Sequence, residues 1–361
     1  MASCLLTRPV LPAEGRVLFQ GLADGEVWDT DSQSILLTRN EGDTASQRRL
    51  RLWAAAQLAP GLQGMVLGRF EGGNSSQYIV AESKTAELEQ AWLRYTLPTS
   101  VRLMAQAGRM PQPIGNFSRR YLSSQNPLIG APADYEIEYP YAVEIAGRAG
   151  PIDFLAAVVD KPLGKQIWLP EASSAPRPAF AVGVTPFTGF RFGAYATWGP
   201  YLSRDVEPEI PAGHGWRDYD QRVIGFDLQF SRGHFELNAE MTRSLFEVPG
   251  QSDDSGVVWY LEPKYTWSPR WYTALRLEKN NQASVWLPYY PYIPEWYVTD
   301  EDSWDLEAGV GFRIDPRSLV KLAYRVERST EYPTYTPEVG HALALQVSWN
   351  FDAISWFDRP R

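Results

Sequence analysis

The chain has 361 residues and a formal net charge of −9. A general nucleic-acid binder would be basic, so no nucleic-acid partner is expected. The single cysteine, Cys4, excludes an internal disulfide and a multi-cysteine metal site, and no stretch approaches the ~18 consecutive apolar residues of a spanning helix.

Residues 1–14 carry no apolar core of the length an export signal needs, and are read as a signal remnant or a mis-start. A rhythm then begins. Tight turns at Ala59-Pro60-Gly61, Leu97-Pro98-Thr99-Ser100, Gly150-Pro151, Thr188-Gly189, Ser231-Arg232-Gly233, Ser268-Pro269-Arg270 and Asp315-Pro316-Arg317 alternate with long polar connections. The connections lie near 31–46, 73–85, 110–139, 161–176, 200–217, 247–255, 282–303 and 330–337. Strand-like segments of about ten residues lie between them, and this alternation is how a transmembrane barrel is threaded.

Each spanning strand needs one uncharged stripe at period two, because a Lys or Arg facing lipid at mid-depth costs about 2–4 kcal/mol. The stripes are present. Val101, Leu103, Ala105 and Ala107 alternate with Arg102, Met104 and Gln106, and Phe190, Phe192, Ala194, Ala196 and Trp198 alternate with Arg191, Gly193 and Tyr195. Phe235, Leu237, Ala239 and Met241 oppose His234, Glu236, Asn238 and Glu240. Further on, Trp304, Leu306, Ala308, Val310, Phe312 and Ile314 oppose Asp305, Glu307 and Arg313, and Val320, Leu322, Tyr324 and Val326 oppose Lys321, Arg325 and Glu327. The high aromatic content, 13%, fits the interfacial girdles of such barrels.

These patterns predict an all-β fold, a transmembrane antiparallel up-and-down β-barrel of about sixteen strands. It occupies residues 15–351, with a periplasmic C-terminal tail over 352–361. A soluble sandwich or propeller is the competing fold. It would bury its stripes, and a propeller would show internal repeats, which are not evident.

The last strand sets Leu345, Val347, Trp349 and Phe351 on one face, and its aromatic end resembles the assembly signal of bacterial outer-membrane proteins. In that pattern the aromatic is usually terminal, whereas ten residues follow Phe351 here. Taken as architecture, nearly the whole chain resembles a bacterial outer-membrane porin. Gly108-Arg109-Met110-Pro111-Gln112-Pro113-Ile114-Gly115 followed by Asn126-Pro127-Leu128-Ile129-Gly130 is similar to the strand-to-loop passage of the phosphate-selective porin O and P family.

The resemblance implies that the third loop folds into the lumen as a constriction, and that the protein is a homotrimer in the bacterial outer membrane, among lipid and lipopolysaccharide. That loop carries Arg119, Arg120, Asp134, Glu136 and Glu138. An extracellular flap is the other reading of it.

Inward positions segregate along the chain, with Arg49, Arg51, Arg94, Arg102, Arg148 and Arg191 first and Asp227, Glu236, Glu240, Glu262, Glu278, Asp305 and Glu307 later. Since chain order is angular order, a basic wall facing an acidic wall is expected, with a transverse field across the pore. Solvated wall residues without a selective role are the alternative. The net charge weighs mildly against strong anion selectivity.

Arg109, Arg243, Lys279 and Arg328 end four lipid-facing stripes at the loop side. They either form a basic belt toward anionic headgroups or mark where the apolar zone stops. The aromatic run from Trp286 to Tyr297 is a self-packed loop, a carbohydrate slide or a trimer contact.

With three histidines and no Gly-x-Ser-x-Gly, P-loop or His-Glu-x-x-His motif, the chain is not expected to be an enzyme. No cofactor or metal is expected either. The expected function is a passive porin for ions and small hydrophilic solutes. The alternative is a scaffold or conduit barrel around a periplasmic or surface partner, which needs a wider, unplugged lumen.

Overall fold

The computed structural model describes residues 17–32, 34, 44–73, 86–99, 101–132, 135, 138–163, 175–286, 288, 295–330 and 337–352. Residues 1–14 and the tail beyond Asp352 lie outside them, as do Asp134 and Glu136 of the third loop.

The strands are β1 (Val17–Thr30), β2 (Thr44–Ala59), β3 (Leu62–Gly73), β4 (Ala86–Thr96), β5 (Met104–Arg109), β6 (Tyr141–Ala149), β7 (Ile152–Val159) and β8 (Arg177–Phe187). They continue as β9 (Phe190–Pro200), β10 (Asp220–Arg232), β11 (Phe235–Phe246), β12 (Asp254–Thr266), β13 (Trp271–Trp286), β14 (Tyr297–Arg313), β15 (Ser318–Thr330) and β16 (Pro337–Asp352). Each pairs antiparallel with its chain neighbours, and β16 pairs with β1 to close the sixteen-stranded barrel. The tight turns fix every second pairing directly, and sequential strands commonly pair across the longer connections as well.

Side chains alternate across this wall, and the sense is inverted relative to a soluble protein. Trp304 is 44% and Leu306 42% exposed on the outer surface, while Asp305 and Glu307 are buried inside. Leu322 and Tyr324 point out between Lys321, Arg325 and Glu327, which point in and are buried. The same holds along β16, where Leu343, Leu345, Val347 and Trp349 face outward. Phe351 lies over Gly21 of β1, where any β-carbon would collide with its ring, and stacks on Trp349 at 4.9 Å.

The wall departs from the expected pattern in several places, of which three bear on the site. The turn expected at 97–100 runs on to Leu103, so Val101 and Leu103 precede the strand and Arg102 sits exposed in the turn at φ +46°. There the Arg102 N–H donates to the Thr99 carbonyl and Leu97 N–H to the Leu103 carbonyl, a closure that holds Arg102 off the wall. In β4 the register shifts opposite Leu67 and Gly68, and both Glu89 and Gln90 are buried inside. Pairing of β13 with β14 continues up to Trp286 and Tyr297, so the connection expected over 282–303 is mostly hairpin.

The turn after β14 is held by its aspartate. Asp315 accepts from the Arg317 and Ser318 N–H groups at 2.7 and 2.8 Å, and these bonds, the Arg317 one first, hold its carboxyl below the usual range.

Placing an arginine on the outer face should be costly. Leu306→Arg should lose about 2–4 kcal/mol of folding stability in lipid vesicles, the penalty for a mid-depth cation. Urea unfolding followed by tryptophan fluorescence measures it; a neutral result would put β14 in the wrong register.

Candidate functional site

The third loop, between β5 and β6, is threaded into the barrel. It first prolongs the ladder: the Met110 N–H donates to the Pro140 carbonyl and Gln112 to Glu138, at 3.1 and 3.0 Å. It then crosses to the far wall. The Asn116 and Phe117 N–H groups donate to the Glu240 carboxylate on β11 at 2.9 and 3.2 Å. Gly115 permits that approach. Its φ is +86°, and a β-carbon there would stand 2.6 Å from Glu240 Oε1. Tyr195 of β9 and Tyr260 of β12 donate their hydroxyls to the same carboxylate at 2.8 and 3.2 Å.

A second landing point lies on β13–β15. The Ile129 and Gly130 N–H groups donate to Glu307 Oε1 at 3.0 and 3.4 Å. Lys321 Nζ donates to the Asn126 and Leu128 carbonyls at 3.0 and 2.8 Å, and the Tyr272 hydroxyl to the Pro127 carbonyl at 3.1 Å. Arg276, fully buried, donates to the Gly130 carbonyl at 2.9 Å, to Asn126 Oδ1 at 3.0 Å and to Glu262 at 2.7 Å. Between the two points Arg120 pairs with Glu262 and reaches the Tyr260 hydroxyl at 3.2 Å.

Apolar contacts reinforce this seating. Met110 and Ile114 pack with Trp92, Ala142, Ala179 and Tyr195, Ile129 with Trp28, Ala323 and Ala342, and Leu128 with Tyr272 and Ala274. Alanines and glycines on the inner wall leave the room this needs. An ordinary residue at Gly309 would meet Leu128 at 2.7 Å.

The charges expected to form two opposed walls are interleaved with counter-ions. Arg49 pairs with Asp24 at 2.8 Å and Glu26 at 2.7 Å, and Arg51 pairs with Glu89 at 2.9 Å. Arg191 bridges Asp153, at 2.8 Å, and Asp227. Arg94 donates to Gln106 at 2.6 Å with its guanidinium 4.6 Å from the Trp92 ring. Arg148 lies at the short-turn mouth, donating to the Gly150 carbonyl at 3.1 Å, and Arg102 is in a turn.

Among the carboxylates, Glu236 pairs with Lys264 at 2.8 Å, Asp305 with Arg325 at 3.3 Å and Glu278 with Arg276 at 3.5 Å. A simple basic wall facing an acidic wall is therefore not the arrangement. Cations left isolated in a confined interior are unfavourable, and Arg49, Arg51 and Arg191 each have an acid one or two strands away. In the loop, Glu138 pairs with Lys161 at 3.2 Å, while Arg119 is half-buried and makes no ion pair among the described residues. Sequence reasoning did not single out Asp24, Glu26, Glu89, Asp153 or Arg276. The inward parity of Asp24, Glu26, Asp153 and Arg276 was readable, whereas Glu89 turns inward only through the bulge in β4, and the partners of all five depend on register and strand tilt.

At the long-loop end, Tyr201, Leu202, Val206, Phe246, Val248, Val285 and Trp296 form a small core above the strands. Trp296 donates its indole N–H to the Glu209 carbonyl at 2.8 Å, so this end of the aromatic run packs against the connection that follows β9. Burial there pushes the Tyr201 hydroxyl well above its ordinary range. Tyr289, Tyr290 and Tyr292 lie outside the described residues.

No protein-family model and no curated relative matches the chain. Solved structures do match in fold. OprB of Pseudomonas putida, in its high-pH structure, superposes with a TM-score of 0.62 at 10% identity, covering 93% of this chain and 94% of that one. An anion-selective porin from Comamonas acidovorans gives 0.61 at 11% identity, with 93% and 99% covered. Salmonella typhi OmpF, solved with daunomycin, gives 0.61 at 10% identity, with 93% and 97% covered.

The fold is that of the sixteen-stranded porins. These likenesses bear on architecture and not on the narrower similarity to the phosphate-selective O and P family.

The loop anchor can be tested at Arg276. Arg276→Ala leaves Glu262, Glu278 and Glu307 without their shared cation. It should cost about 3–5 kcal/mol, the usual penalty for stranding one side of a buried ion pair. Chemical unfolding of the purified barrel measures the loss, and Arg276→Lys should recover part of it.

Proposed function

We propose that this protein is a passive porin of the bacterial outer membrane, passing ions and small hydrophilic solutes through a bore narrowed by residues 110–140. One observation carries the reading: a closed barrel, apolar outside and charged inside, is crossed by a polar loop pinned to the opposite wall. The apolar exterior suits hydrocarbon, and the charged interior suits water. The loop also ranks the scaffold reading second, because a conduit for a threaded partner needs the bore that the loop occupies.

Selectivity in this reading comes from the few charges left over after pairing. Arg119 on the loop is the first of these. It stands within electrostatic reach of Glu144 and Asp227, and Arg94 acts on Glu144 from the near wall. The Comamonas porin is anion-selective. Here cations and carboxylates both border the constriction, and Arg119 is the residue whose removal should tip the balance.

The homotrimer belongs to the same reading. Among the described residues the outward tryptophans Trp198, Trp259, Trp271, Trp304 and Trp349 all stand on β9–β16. The outer face of β1–β5 instead offers small residues such as Gly25, Ala54, Gly64, Gly68 and Ala107, over which a second copy can approach closely.

The deciding measurement is single-channel conductance in a planar bilayer with a KCl gradient. Discrete steps are expected, and Arg119→Glu should move the reversal potential toward cation selectivity. Silence from correctly folded, heat-modifiable protein would sink the porin reading. Analytical ultracentrifugation in detergent tests the trimer.

A further inference from the structure

The outer face carries a cationic patch at its long-loop end that the pore does not use. One row runs straight across adjacent strands: Trp259 on β12 pairs with Lys279 on β13, then Trp304 on β14 and Arg328 on β15. Arg243 on β11 stands one step above this row, opposite Val257. Lys279 Nζ lies 4.8 Å from the Trp304 ring, and Trp259 meets Trp304 edge-on at 5.5 Å. Below the row the outward positions are apolar, Leu261, Leu306 and Val326; above it stand Asn281, Asp302 and Thr330, with Val257 on β12 the apolar exception.

The three cations do not stand alike. Lys279 pairs with Asp302, whereas Arg243 and Arg328 are exposed and, among the described residues, make no ion pair or side-chain hydrogen bond. Arg109, expected in the same belt, is drawn away to Glu87 at 2.6 Å. Two further exposed cations stand apart from this group, Arg48 on β2 and Arg222 on β10, the latter paired with Glu247 at 2.7 Å. Strands stand about 4.8 Å apart, so Lys279 and Arg328 are about 10 Å apart across one tryptophan.

We infer that this patch binds the phosphorylated sugar headgroup of an outer-leaflet glycolipid. Arg243, Lys279 and Arg328 contact its phosphates, and Trp259 and Trp304 pack against its sugar and upper acyl region. The inference rests on the outer-membrane reading above. Depth and charge select the occupant: the cations sit where the hydrocarbon band ends, and anionic headgroups lie at that level. Indole faces flanking a cation suit a ligand that presents both apolar rings and charge. A phosphate would displace Asp302 from Lys279 and fill the open sides of the two arginines.

The test uses the full folded barrel in detergent, titrated with purified lipopolysaccharide and followed by native mass spectrometry. Wild type should retain the glycolipid, and the triple variant Arg243→Gln/Lys279→Gln/Arg328→Gln should bind it at least about tenfold more weakly. Dephosphorylated lipopolysaccharide should bind wild type as weakly as the triple variant binds the native glycolipid. Arg48→Gln, an exposed cation on β2, should leave binding unchanged.

Equal binding by wild type and the triple variant would overturn the site. Equal binding of the dephosphorylated form would overturn the phosphate contact, and equal binding of phosphatidylglycerol would overturn the glycolipid assignment. Heat-modifiability on gels confirms that each variant is folded. If the triple variant misfolds, Arg328→Glu alone serves, with the same direction expected. Conductance is read separately, so a silent channel that still retains lipopolysaccharide would count against the porin and not against this site.

Discussion

A strand edge left open in hydrocarbon strands its N–H and C=O groups at several kcal/mol each. Here β16 meets β1 from the Gln20–Asp352 pair to the Thr30–Ala342 pair, and no edge remains. Closure then divides the chain into two surfaces. Charge is costly on the outer one, so it gathers on the inner one. There the side chains are close enough that Arg49, Arg51, Arg191, Arg276 and Arg325 each have a carboxylate at hand.

The loop between β5 and β6 answers the same demand from inside. Backbone laid across a lumen must find partners or water. Glu240 and Glu307 take its N–H groups, while Lys321, Arg276 and Tyr272 take its carbonyls. Charged residues that face each other across a bore in a simple sketch become, in part, fasteners for the loop.

Strand placement was legible because period two is a purely local property. Trp304, Leu306 and Ala308 declared an outward face, and Asp305 and Glu307 an inward one, with no knowledge of neighbours. What alternation cannot state is which inward residue meets which. That Arg51 reaches Glu89 depends on the register of three strands and on the bulge in β4 that turns Glu89 and Gln90 to the same side. Arg102 was misplaced for a similar reason. A stripe extrapolated to its end ignores a turn that needs seven residues and one left-handed position. The entry of the loop followed from a resemblance, but its landing points on β11 and β13–β15 had no local signature beyond inward charged residues, Glu240, Arg276, Glu307 and Lys321, whose role as anchors alternation does not state.

The loop's partners lie far along the chain. Glu240 is 124 residues beyond Asn116, Glu307 is 178 beyond Ile129, and Lys321 is 195 beyond Asn126. The strands that bear them are threaded late, and loop closure over such separations is unfavourable until the wall brings the ends together. Seating of the loop is therefore favourable only once the cylinder has brought those ends together. A barrel caught between closure and seating would be wider than the finished one.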